Sequence, residues 1–164
     1  MCKGVCEDLE ERTEEASSRV YRIHLYGKPK GKKRHRVSVV KGKPWCYDEQ
    51  KYDVAFDRKL IFEQLLEQGF DRIIDSPVSI TFIFGMGHSK GPQSHLIGQP
   101  KPVKPDIDNL EKYYLDVMND LVYIDDKQVT RVVKDKIFSQ SPYLAMIIQE
   151  LPHPKNPKAR CVKK

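Results

Sequence analysis

Val78, Ile80, Phe82 and Phe84 recur at every second residue, whereas Leu110, Tyr114, Val117, Met118 and Leu121 recur at helical spacing farther along. A strand turns alternate side chains to one face, and a helix gathers every third or fourth. A chain that switches between these periods therefore has to lay helices on a sheet. The same test assigns Tyr21, Ile23 and Leu25 to a first strand. Residues 48–68 read as a helix with Val54, Ala55, Ile61, Phe62, Leu65 and Leu66 as its apolar stripe, and Gly69 stands where a helix stops. Residues 129–138 and 143–151 read as two antiparallel strands around the Ser139–Pro142 turn. The expected fold is α/β (α+β): a single small domain, a mixed sheet with two main helices, in the order β-α-β-α-β-β.

A length of 164 residues suits one core, and no apolar run approaches the roughly 18–20 residues that a bilayer-spanning helix needs. The first nineteen residues hold six acids against three bases, a net −3, which leaves +9 on the remainder. That start lacks the apolar stretch of a secretory signal, and the expected compartment is the cytoplasm. Residues 1–19 read as an acidic, poorly ordered extension, 20–151 as the domain, and 152–164 as a basic tail. Cys2, Cys6, Cys46 and Cys161 lack the paired spacing of a zinc site and read as reduced thiols. Residues 86–105 have no period and are rich in Gly and Pro, a long loop that leads into the most acidic part of the core.

That acidic part is KPDIDNLEKYYLDVMNDLVYIDDKQV, residues 104–129. Asp106 and Asp108 flank a helix start, and Asp125 and Asp126 follow the same helix. A helix packed antiparallel to the next strand carries the chain back past its own beginning, so the two pairs can converge, although the pattern does not force it. Converged carboxylates repel unless a cation sits between them, and oxygen ligands select a hard ion, Mg²⁺ or Mn²⁺ as its substitute. Such an ion activates water and stabilises a phosphodiester during displacement. Bland readings stand beside this one. Asp108 with Glu111 makes a capping box, Asp108, Lys112 and Asp116 have the spacing of helix ion pairs, and Asp125–Asp126 forms a turn. An EF-hand is excluded, because Leu110, Glu111 and Val117 fall where an oxygen ligand, Gly and Glu belong. Pro105–Asp106 with Asp125-Asp126-Lys127 also approaches the PD-(D/E)xK spelling of restriction-type nucleases, with the lysine one residue early.

The run from Lys104 to Lys136 resembles the RusA-type Holliday junction resolvases of bacteria and their phages. The shared features are Asp106, Asp108-Asn109-Leu110, Lys112, and Asp125-Asp126-Lys127-Gln128-Val129. The resemblance implies a small homodimeric endodeoxyribonuclease of DNA recombination and repair, which uses Mg²⁺ to place paired symmetric nicks across a four-way junction. It implies Asp106, Asp108 and Asp126 as metal carboxylates, Lys112 as the basic catalytic residue against them, and Asp125 as an additional acid. The aromatic pair Tyr113–Tyr114 is one surface through which such a dimer could form. The acidic start, the 86–103 loop and the basic tail lie outside the shared pattern.

Residues 28–43 carry eight Lys or Arg and no acid, directly after the first strand and near Tyr21, Tyr26 and Trp45. Charge runs are commonly solvated loops. Beside a nuclease site, Lys28, Lys30, Lys32, Lys33, Arg34 and Arg36, together with Lys104, become the expected contacts to DNA phosphates. The competing class is a non-catalytic nucleic-acid-binding protein whose acids only cap a helix. His88 and His95 read as exposed loop residues.

Overall fold

The computed structural model describes residues 18–33, 36–40, 43–47, 49–87 and 94–153, with the backbone alone for 36–40, 43–47 and 94. The 1–17 part of the acidic start, Arg34, Asp48, His88 and residues 154–164 of the basic tail lie outside the described residues. The elements are β1 (Val20–Tyr26), β2 (Arg36–Val40), β3 (Lys43–Tyr47), α1 (Lys51–Glu67), β4 (Val78–Gly87), α2 (Ile107–Met118), β5 (Val129–Ser139) and β6 (Tyr143–Glu150), with short 3-10 turns at Ser94–Leu96 and Asp126–Gln128. The expected mixed α/β order is present. The basic segment, expected as a loop, adds a feature: β2 and β3 pair antiparallel as a separate two-stranded sheet.

The main sheet has the order β1-β6-β4-β5. β6 runs antiparallel to β1 and β4, and β5 runs parallel to β4. The expected pairing of β5 with β6 does not occur, because β4 lies between them. β4 is the most apolar strand, with Val78, Ile80, Phe82, Phe84 and Met86 all buried. The central place shields both its edges, and the parallel β4–α2–β5 crossover sets β5 on its far side.

The core forms between the sheet and the two helices. Tyr21, Ile23 and Leu25 of β1, and Leu144, Met146 and Ile148 of β6, meet Ile61 and Leu65 of α1 and Leu110, Val117 and Met118 of α2. Burying each such side chain contributes about 1.5–3 kcal/mol. The α1 stripe differs from the expected one. Ile61 and Leu65 are buried, but Phe62 and Leu66 are 41% and 52% exposed, and Asp57 takes an inward position. Beyond the C-cap Gln68, Gly69 adopts φ +78, with Gly69 N donating to Leu66 O and Phe70 N to Leu65 O. These bonds close a Schellman motif, and the buried Phe70 follows it into the core.

Gln64 of α1 and the C-cap Gln68 cover the outer edge of β1. Gln64 and Gln68 each accept from and donate to the backbone, at His24 and Arg22 respectively, over 2.7–2.9 Å. They satisfy groups that an edge strand leaves unpaired. At the opposite edge, Gly98–Lys101 of the aperiodic segment lies along β5, with Pro100 bridging Ile137. At the start of the domain, Ser18 Oγ donates to Glu150 O at 2.8 Å and Arg19 pairs with Asp71.

Candidate active site

Helix α2 organises the candidate site. Its buried face is Leu110, Tyr113, Tyr114, Val117 and Met118. Tyr113 and Tyr114 are therefore core residues and are not a surface for subunit contact. Burial pushes both phenols far above their ordinary range, and at Tyr113 the hydrogen bond to Asp57 adds to the effect. The last carbonyls of α2 are satisfied from elsewhere: Arg58 donates to Val117 O and Asn119 O, and Tyr123 Oη donates to Leu115 O.

At the other end Asp106 is the N-cap, yet its carboxylate makes no capping bond. The expected box with Glu111 is absent, since Glu111 pairs with Lys134 of β5. Asp106, Asp108 and Lys112 are exposed, and among the described residues none of their side chains has a hydrogen-bond or ion-pair partner. Asp108 and Lys112 stand one helical turn apart on one face. The expected ion-pair ladder stops there, because Asp116 pairs with Lys32.

The 28–33 loop lies along one flank of this face. Lys32 N donates to Asn109 O at 3.0 Å, and a Cβ at Gly31 would stand 3.1 Å from Asn109 Nδ2, so a larger residue there would push the Asn109 side chain aside. Gln50 clasps the same loop, donating to Gly31 O and accepting from Lys33 N. Beneath it, Lys30 Nζ stands 3.0 Å from Asp57 Oδ1, and Tyr113 Oη donates to Asp57 Oδ2 at 2.8 Å. A buried carboxylate with two such partners fixes the loop against both helices. The sequence carries no sign of Asp57's role, since its partners lie far off in the chain. Lys28, Lys32 and Lys33 are exposed on this flank, and Lys104 is exposed just before Asp106.

Asp125 and Asp126 lie elsewhere. β5 runs antiparallel to α2, so it is Lys134 and Lys136 that return beside the start of α2. Lys134 meets Glu111, and Lys136 Nζ donates to Val103 O and Pro105 O. Asp126 sits at the opposite end, where its charge and that of Asp116 add to the burial that raises the Tyr123 phenol. The twelve residues of α2 span about 18 Å. A single chain therefore does not bring Asp126 to Asp106 and Asp108, and among the described residues no three His, Cys, Asp or Glu side chains gather for a metal. Asp106 and Asp108 alone still suit a hard ion, since Mg²⁺ is commonly held by one or two carboxylates with waters and substrate phosphates. Asp125 has a local task. Its carboxylate accepts from Lys127 N, and Gln128 Oε1 accepts from Asp125 N, a capping box on the turn at Asp126–Gln128. The Lys127 N–H bond holds the Asp125 carboxyl below its usual range.

Among the described residues, no helix is long and apolar enough to cross a membrane. The chain is similar to the uncharacterized protein YqaN of Bacillus subtilis (strain 168), 28% identical over 135 residues that cover 77% of this chain and 94% of that protein. Residues 26–149 match the family described as Endodeoxyribonuclease RusA, a span that takes in the basic loop, all of α2 and the Asp125–Asp126 turn. The family's members are hydrolases of phosphodiester bonds that act on branched DNA and generally depend on a divalent metal. With the Asp106–Asp108–Lys112 face and its basic flank in place, the chain belongs to the RusA endodeoxyribonuclease family.

Proposed function

We propose that this protein is a Mg²⁺-dependent, homodimeric endonuclease that resolves four-way DNA junctions in recombination and repair by paired, symmetric nicks. The observation that carries the reading is the exposed first half of α2. It presents two carboxylates and a lysine that have no partner among the described residues, beside a loop of lysines held in place by buried contacts. Asp106 and Asp108 hold the ion, and Lys112, one turn along, faces the non-bridging oxygens of the phosphate. Lys28, Lys32 and Lys33 grip neighbouring phosphates, with Arg34, Arg36 and Lys104 as further contacts. A Mg²⁺ ion held there would activate water and offset the charge that develops on the phosphodiester.

The separation of Asp126 from Asp106 gives the dimer a chemical purpose. In a two-fold assembly, the Asp125–Asp126 corner of one protomer completes the carboxylate set at its partner's Asp106–Asp108. A four-way junction is itself pseudo-two-fold, so two such sites cut opposed strands. The test is cleavage of a synthetic four-way junction and a matched linear duplex, with Mg²⁺ or EDTA, by wild type and Asp108→Asn. The expected result is paired nicks in the junction alone, with Mg²⁺ alone, and a variant that binds without cutting. Binding without cutting by the wild type would replace this reading with the non-catalytic one.

A further inference from the structure

Residues 98–101 are zipped to the outer edge of β5. Gly98 N donates to Phe138 O, Phe138 N to Gln99 O and Lys101 N to Lys136 O, each at 2.9 Å. Between this segment, β5 and the first residue of α2 lies a cavity of about 290 Å³, lined by Pro100, Lys101, Ile107, Lys134 and Lys136 among others. It stands on the flank of α2 opposite the 28–33 loop.

The charges at this cavity are unbalanced. Lys134 has Glu111 as its partner. Lys101 Nζ donates to Gly87 O at 3.0 Å and lies 5.0 Å over the Phe138 ring. Lys136 Nζ donates to Val103 O at 2.6 Å and Pro105 O at 2.8 Å, which puts it next to Asp106. Neither Lys101 nor Lys136 has a carboxylate in ion-pair distance among the described residues. Asp135 also touches the cavity, but it alternates with Lys134 and Lys136 along β5 and its side chain leaves on the other face of the strand. An ammonium carries three donors, so each of the two lysines keeps at least one N–H unused. Two lysines that line one cavity are thus held, among the described residues, only by neutral acceptors and lack an anion.

We propose that this cavity is a second phosphate subsite, which takes a backbone phosphate of the DNA strand that crosses the Asp106–Asp108 end of α2. The proposal rests on the nuclease reading for the position of the strand. With the 28–33 loop on the other flank, the strand is gripped on both sides of the scissile link.

The test uses the full chain without metal. Junction binding is followed over a series of salt concentrations for wild type, Lys101→Met and Lys136→Met, with Lys59→Met on the outer face of α1 as the control. Each loss of a phosphate contact should lower the slope of log affinity against log salt by about one. Lys101→Met and Lys136→Met should show that drop, and Lys59→Met should not. Lys136→Met also releases the 103–105 segment, so Lys101→Met is the decisive variant, and its melting temperature should match wild type. A second arm needs no junction and no cleavage: amide shifts of Lys101 and Ile137 on titration with a thymidine dinucleotide or with inorganic phosphate. Shifts with the dinucleotide that vanish in Lys101→Met support the subsite even if the protein fails to cut junctions. Shifts with inorganic phosphate alone overturn its assignment to DNA. An unchanged slope without shifts overturns the subsite while leaving the nuclease reading intact.

Discussion

If Asp126 of one protomer serves the Asp106–Asp108 end of its partner, two inactive proteins will rescue each other. Carboxylate oxygens sharing one Mg²⁺ each lie about 2.1 Å from it, so they stand within about 4 Å of one another. Asp106 and Asp126 are separated by the length of α2, about 18 Å, and no side-chain rotation closes that gap. Asp108→Asn and Asp126→Asn homodimers should each be inactive, because every site in them has lost a ligand. In a mixed dimer one site loses both, whereas the other joins an intact Asp106–Asp108 pair to an intact Asp126. Selected away from both homodimers by two different tags, the mixed dimers return about half of the wild-type number of sites. Each mixed dimer has one working site, so its product is a single nick rather than a paired cut. The two chains, carrying different tags, would be co-expressed and purified through both. The product on a four-way junction would then be read on native and denaturing gels. A doubly tagged dimer that stays inactive would refute the composite site, and full activity of Asp126→Asn alone would remove Asp126 from it altogether.

Three further outcomes follow from the same contacts. Replacing Asp57 by Ala leaves the Tyr113 hydroxyl without its acceptor and Lys30 with Asp53 alone, 3.3 Å away, and should cost about 1–3 kcal/mol in urea unfolding. A loss below about 1 kcal/mol would mean that the loop is held by Gln50 and Asn109 instead. Lys32→Ala with Lys33→Ala should weaken junction binding and lower the salt slope by about two, and an unchanged slope would remove this loop from the DNA surface. Stability should also fall in alkali. The Tyr113, Tyr114 and Tyr123 phenols are raised mainly by burial, so their contribution is complete below the free phenol pKa of about 10 and is lost as the pH climbs through the folded values. The Asp125 carboxyl is lowered, so its contribution has the opposite sign, present above the usual carboxylate range and lost as the pH falls through its folded value. Melting curves of Asp125→Ala should therefore lose part of the acid limb and keep the alkaline one.

Local patterns carried a large part of this protein. The alternation at Val78–Phe84 made β4 visible, Gly69 marked the end of α1, and the buried face of α2 followed from Leu110, Tyr114, Val117 and Met118. Each depends on side chains a few residues apart, where periodicity is a physical property of the backbone. Asp106, Asp108 and Lys112 were also legible, because their spacing belongs to the start of one helix. What stayed hidden depends on contacts distant in sequence. Nothing in β5 or β6 says that β4 will come between them, since strand pairing is chosen by burial across the whole sheet. The inward turn of Asp57 was settled by where Lys30 and Tyr113 arrive, and Phe62 and Leu66 turn outward on the same helix. The antiparallel return of β5 likewise brings Lys134 and Lys136, rather than Asp126, beside Asp106. The sequence determined which groups are candidates for the chemistry, because residue type, short spacing and the RusA-like pattern mark them. Only the tertiary structure decided which of them one chain can bring together, because that is set by the lengths of rigid elements and the order of the sheet.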